Sequence, residues 1–370
     1  MRSETAERAP APSVRSKHRP ARAPLTFAAI LVCAGASLAA LVVGCARNKS
    51  AGELNVYIWS AYLPQEVIDE FQRRTGTTVH VDLYDSNEAL LDKMQSGVAD
   101  YDLVVPSDYI VRVLVAQGLL LPLDKAKLPT VSNLDPRFLD QRFDPKNRYT
   151  LPYLWGTTGL GYDKKKLGPI DSWQALFEPR FKGRILMLDD EREVFGVALR
   201  LLGRSINERD PAMLARAAEM LKRQKELVAT YNSADFANLL AAGDVDLAHG
   251  YSGQLAEVVA AHPDRLAYVL PKEGATLWID NVAIPAKARH ADAAHRFIAY
   301  VMEPETNAKI VNGVHYASAN VPARRLIRPE ILADRAIYPD AATLQRCELI
   351  EDLGDTTTLL DRYWTEIKSH

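Results

Sequence analysis

The chain has 370 residues, of which 48% are hydrophobic and 25% charged, with a formal net charge of −2. This is a globular composition long enough for two domains. Its mildly acidic, even balance leaves no electrostatic footprint for nucleic acid.

Residues 1–24 carry six Lys/Arg and two Asp/Glu, whereas residues 25–44 carry no charge. A basic stretch, an apolar run and then small residues predict an export signal. The run is also long enough to cross a bilayer as a retained anchor. Leu41-Val42-Val43-Gly44-Cys45 resembles the bacterial lipoprotein cleavage motif. That resemblance implies a signal peptide over 1–44, a lipid on Cys45 and a polar tether over 45–52. Either way the protein is held at a membrane and faces out of the cytoplasm, in the periplasm or on the outer face of the cell membrane. The basic leader is long for a signal, which leaves a translation start further in open. Removing a leader of charge +4 leaves −6. With Cys33 in the leader and Cys45 lipidated, Cys347 stands alone, so no intramolecular disulfide forms.

Beyond the tether, strands and helices alternate. Leu54–Ile58 reads as a strand, and Pro64 opens an amphipathic helix over 65–74 stopped by Gly76. Thr78–Leu83 alternates as a strand does, Asn87–Gln95 is helical up to Gly97, and Asp102–Val105 is a buried strand before a helix over 108–117. The pattern loosens from Leu121-Pro122 to Leu151-Pro152, and a second alternating run starts near Thr157. Asp210-Pro211 opens a long helix by an Asp cap with Pro at the first helical position. Ser233 is expected to cap another helix that Gly243 stops, and Val245–His249 is a strand. Such alternation predicts an α/β fold in two lobes, each with a parallel sheet, connected near 152–158.

Four carboxylates, Asp189, Asp190, Glu191 and Glu193, crowd the junction between the strand Ile185–Leu188 and the helix that follows. They suit either an acid-rich first helical turn or a ligand crevice beyond the carboxyl ends of the strands. Aromatic residues recur beside small polar or acidic ones at other predicted strand ends: Trp59-Ser60-Ala61-Tyr62, Ser107-Asp108-Tyr109, Tyr251-Ser252, Trp278-Ile279-Asp280 and His315-Tyr316. Core packing accounts for any single aromatic, but not for their recurrence at strand ends. Ring faces attract ammonium groups and pack methylenes, and carboxylates supply charge-assisted hydrogen bonds. The set therefore fits a cation with apolar spacers, whereas an anion would want Arg, Lys or bare helix amides.

Enzyme motifs fail. Gly156-x-x-Gly159-x-Gly161 has the wrong order for a dinucleotide loop, and no Gly-Lys-Ser/Thr phosphate loop occurs. Gly250-Tyr251-Ser252-Gly253 is one residue short of a nucleophile elbow. His290 and His295, five apart, do not share a helix face as a zinc helix needs. No catalytic residue, metal site or cofactor is expected.

The segments NVYIWSAY (55–62), YDSNE (84–88), YDLVVPS (101–107), SNLDP (132–136), PYLWG (152–156), DDEREVF (189–195), PKEG (271–274), WID (278–280) and YPDA (338–341) follow one another over about residues 53–368. Together they resemble the spermidine/putrescine-binding proteins of polyamine ABC importers. The resemblance implies a two-lobed periplasmic-binding-protein fold of type II, with a ligand cleft between lobes joined by a hinge. Lobe 1 is then 53–157 plus 279–324, and lobe 2 is 158–278 plus 325–370. It further implies that Trp59, Tyr62, Tyr109, Tyr251 and Trp278 frame an alkyl chain, with Tyr251 where Trp is usual. Asp190, Glu193 and Asp280 would bind amino groups, Ser60 would supply a hydroxyl, and Tyr316 would lie near one ligand end. Ser107 and Asp108 complete the expected set. Ala61 stands where an acid is frequent and Ile350 near where a Gln is, and Asp108 is an extra acid; these departures bear on which polyamine is taken.

The expected function is capture of spermidine or putrescine by a monomeric, membrane-tethered protein that delivers it to the permease subunits of an ABC importer. Alternatives are another cationic solute on the same scaffold, such as thiamine or ferric ion, or a polyamine sensor.

Overall fold

The computed structural model of the chain describes residues 52–97 and 100–369. The expected signal peptide, Cys45 and nearly all of the tether lie outside the described residues.

Eleven strands are present among the described residues: β1 (Glu53–Trp59), β2 (Thr78–Tyr84), β3 (Leu103–Val104), β4 (Leu120–Leu121), β5 (Thr150–Asp163), β6 (Ile185–Met187), β7 (Val228–Tyr231), β8 (Leu247–Tyr251), β9 (Leu266–Val269), β10 (Thr276–Pro285) and β11 (Glu348–Leu349). They join in the order β2-β1-β3-β10-β5-β8-β6-β7, with β4 and β11 against β10 and β9 against β5. β1 is parallel to β2 and β3, and β6 is parallel to β7 and β8. Between these two parallel blocks, β5 and β10 run antiparallel to each other.

The helices form where the sequence marks them. Gln65–Thr75 buries Val67, Ile68 and Phe71 and stops at Gly76, which sits at φ 70°. A glycine reaches that left-handed conformation without a Cβ penalty. Asp210 caps Pro211–Lys225 by accepting from the Ala212 N–H, with Pro at the first position. The stretch between Leu121 and Thr150 holds four short 3-10 turns, three of them opened by Pro129, Pro136 and Pro145.

Two expectations need amendment. Leu151-Pro152 does not end the loose stretch, because β5 already starts at Thr150 and stays buried through Asp163. Pro152 lacks an N–H for the ladder, and the register shifts between Asp280 and Asn281 opposite Leu154 and Pro152. That bulge lets one long strand pass through the proline. Ser233 does not cap the next helix either. Its hydroxyl accepts the Asp189 N–H at 2.9 Å, and Phe236–Ala242 follows Asp235, whose side chain makes no cap hydrogen bond.

Apolar residues gather on two sides. Leu54, Val56, Phe71, Leu151, Trp155, Phe297 and Ile310 share one core, and Leu160, Trp173, Phe195, Leu214 and Leu360 another. Smaller clusters around Tyr57, Tyr84 and Leu114 and around Phe236, Leu240 and Leu255 flank them. These are the hydrophobic centres of the two lobes. Ile327, Ile331 and Ile337 bury in the first core, although the expected boundary at 325 assigns them to the second lobe.

Candidate functional site

A cavity of about 330 Å³ opens where β1, β3 and β10 of one side face the helix Glu191–Leu201 and the end of β8 on the other. All twelve expected residues line it: Trp59, Ser60, Tyr62, Ser107, Asp108 and Tyr109 from the first half of the chain, and Asp190, Glu193, Tyr251, Trp278, Asp280 and Tyr316 from the second. Asp85, Asn87, Ser233, Ala234, Gln254 and Ile350 line it as well. No Lys, Arg or His does so among the described residues.

The aromatic walls are built by close packing. Trp59 ends β1, and its indole N–H donates to the Val105 carbonyl at 3.0 Å while its ring lies 4.6 Å from that of Tyr84. The chain then turns through Ala61 at φ 56°, which brings Tyr62 back to the same cavity. The Tyr62 and Tyr316 rings are 5.1 Å apart, those of Trp278 and Tyr316 5.3 Å, and Tyr251 stands perpendicular to Trp278 at 6.1 Å. Two glycines make room. A Cβ on Gly156 would meet the Trp278 ring at 2.5 Å, and one on Gly253 would strike the Tyr316 ring. Both rings thus lie close against bare backbone.

The acids are held in place by donors. Asp280 is 4% exposed, and its two oxygens accept the Tyr62 hydroxyl at 2.6 Å and the Ser107 hydroxyl at 2.5 Å. Burial pushes it up to about 6 against the pull of these donors. Asp108, 1% exposed, accepts the N–H groups of Tyr109 at 2.7 Å and Ile279 at 3.1 Å. Burial raises it to about 8, and the charge of Asp280 adds to the rise. Asp108 therefore ties the helix Asp108–Ala116 to β10.

The four carboxylates after β6 separate. Asp189 is exposed and pairs with Lys368 at 2.7 Å. Glu191 leaves toward Asp361; burial, then the charge of Asp361, raises it to about 8. Asp190 and Glu193, three apart and so on one helix face, line the cavity. Asp190 caps the helix by accepting the Glu193 N–H at 3.1 Å. Burial and then Glu88 push Asp190 up to about 6. Glu193 accepts the Thr158 hydroxyl at 2.8 Å, and burial followed by the Asp190 charge raises it to about 8. Glu191 and Glu193 stand in the first helical turn, and Asp190 and Glu193 line the cavity. Arg192, between them, points away, donating to the Glu351 carbonyl at 2.9 Å and to Asn207 at 3.1 Å.

Sequence reasoning passed over Asp85 and Ser233, although both stand just beyond the carboxyl ends of strands, β2 and β7. The strand-end rule that found the others would have found them. Asn87 and Gln254 sit in first helical turns and carry no comparable signal. Chemically the site offers five carboxyl groups, aromatic faces and hydroxyls, a lining suited to an elongated polycation.

The model for the bacterial extracellular solute-binding protein family matches residues 66–331. A spermidine/putrescine-binding periplasmic protein of Salmonella typhimurium is 36% identical over 342 residues, covering 92% of this chain and 97% of the relative. A putative spermidine/putrescine ABC transporter structure from Listeria monocytogenes is 37% identical with a TM-score of 0.82, over 85% of this chain and 98% of that one. The Tp0655 (TpPotD) lipoprotein of Treponema pallidum superposes with a TM-score of 0.78 at 28% identity, over 86% of this chain and 100% of that one. With two lobes, a cavity between their cores and likeness along nearly its whole described length, the chain belongs to the bacterial extracellular solute-binding protein family.

Proposed function

We propose that this protein captures a polyamine, spermidine or putrescine, outside the cytoplasm and delivers it, as a monomer, to the permease of an ABC importer. The observation that carries this reading is the cavity lining: Asp108, Asp190, Glu193 and Asp280 among aromatic rings, with no basic side chain. All four acids are pushed up by burial. Burying such a set unpaired is costly, and the ammonium groups of a polyamine offset that cost, so ligand favours the closed arrangement of the lobes. The names of the relatives agree with the same solute class.

The lobes that close are 53–157 with 279–324, extended through Tyr338 by its packing on the first core, and 158–278 with the remaining C-terminal segment. Scattering from empty and loaded protein is expected to show compaction on loading; an unchanged radius would remove hinge closure from the scheme.

Calorimetric titration of residues 51–370, unfolded and refolded to strip bound solute, tests the ligand. Spermidine or putrescine is expected to bind at about −8 kcal/mol or better, the micromolar range. No heat with either, but heat with thiamine or ferric citrate, would replace the ligand and keep the scaffold. Among the described residues no three His, Cys, Asp or Glu side chains come together as a metal set.

Cys45 carries the lipid in this reading, as the word lipoprotein in the name of the Treponema pallidum relative also suggests for that protein. Cells fed labelled palmitate are expected to incorporate it into the wild type and not into Cys45→Ala. Equal labelling of both would move the anchor elsewhere.

A further inference from the structure

The acids deeper in the cavity are already engaged. Both oxygens of Asp280 take hydroxyl donors, both of Asp108 take backbone N–H groups, and Asp190 and Glu193 each hold a donor of their own. Asp85 differs from all four. It follows directly on β2, lines the same cavity, and is exposed. Among the described residues it accepts one hydrogen bond, from the Ser60 hydroxyl at 3.0 Å, and forms no ion pair. Its place along the cavity is set by its neighbours. Tyr84, the preceding residue, packs on Trp59 at 4.6 Å, and Ser60 follows Trp59, so Asp85 stands at the rim of the wall that Trp59 forms.

We propose that Asp85 is a specificity-determining residue, the counter-charge for the third ammonium group of a triamine, with Ser60 positioning its carboxylate. The chemistry follows from solvation. Two ammonium groups separated by one short methylene chain are satisfied by the buried acids, where the walls exclude water. A third ammonium, further along the ligand, reaches the rim along the Trp59 face. There a solvated carboxylate meets it without the desolvation cost that the deeper acids carry. A diamine has no group to place there. The discrimination lies at the edge of the site, so it is modest and screened by salt. This inference rests on the polyamine reading and refines it.

The test is calorimetry on wild type, Asp85→Asn and Ser60→Ala, each with spermidine and with putrescine, at low and at high sodium chloride. Asp85→Asn is a surface change of equal size, and an unaltered melting temperature verifies the fold. It is expected to weaken spermidine by about fivefold to tenfold and to leave putrescine within about twofold. The spermidine loss should shrink at high salt, and Ser60→Ala should lose less in the same direction. Equal weakening of both amines, or undiminished spermidine binding, would overturn the role of Asp85 while leaving the polyamine reading intact. A wild type that binds neither amine would overturn that reading, and this assignment with it.

Discussion

Asp280→Asn is expected to lower polyamine affinity by about 3 kcal/mol, more than a hundredfold in Kd, with the fold retained. Two effects combine. The buried ammonium loses its counter-charge, and one acceptor oxygen is lost. In the wild type one carboxylate accepts from Tyr62 at 2.6 Å and from Ser107 at 2.5 Å. An amide offers one oxygen and an NH2 group in place of the second, so one of the two hydroxyls must turn away or face a donor. Calorimetric titration of the variant, beside its melting temperature, reads both consequences. Affinity within about threefold of wild type would remove Asp280 from the ligand site, because a lost charged hydrogen bond alone is worth more than that.

The second large effect is pH. Burial in the cavity holds Asp190 and Asp280 up at about 6 and Asp108 and Glu193 at about 8. A carboxyl group raised in this way favours the closed empty form most fully below its ordinary value near 4, and that contribution is lost as pH rises through 6 and then 8. Empty protein therefore opens more readily as pH rises. A bound polyammonium reverses the balance: it favours the charged carboxylates, lowers their pKa values and expels their protons. Affinity should accordingly rise between about pH 5 and pH 8, and binding near neutrality should release protons. Titrations at one pH in buffers of different ionisation enthalpy would measure the release as a slope of heat against buffer enthalpy. A flat slope, or affinity that falls with rising pH across this window, would contradict the arrangement.

Much of the site was legible because its residues cluster where strands end. Trp59, Ser107, Tyr251 and Asp190 each stand at or just beyond the carboxyl end of a strand, the place where open α/β sheets meet ligands. Residue type then indicated the sign of the charge. Pairings were harder to read. Tyr62 donates to Asp280 across 218 residues of sequence, and no local pattern encodes such a contact. The same holds for Ile327, Ile331 and Ile337, which are apolar in sequence without showing which core they cover. Pro152 misled because proline usually ends a strand, and only the register shift opposite it in β10 explains its place inside β5. Ser233 misled for a related reason: a serine before a helix looks like a cap, but the Asp189 N–H claims its hydroxyl first.

The antiparallel pair β5 and β10 has a consequence for how the chain can be divided. Leu151, Tyr153 and Trp155 of β5 fill the first core, and Leu160 and Tyr162 of the same strand fill the second. β10 supplies Trp278 and Val282 to the first core, and Ala275, just before it, lies in the second. Neither core is complete on a continuous stretch of chain, because each needs strand segments more than a hundred residues apart. Such long-range pairing must form before either core is rewarded, which makes folding slow. Fragments cut near 157 or 279 would each lack part of a sheet and expose the apolar face it covered. Ligand that bridges the cavity should therefore raise a single melting transition of the whole molecule and leave no lobe to melt on its own.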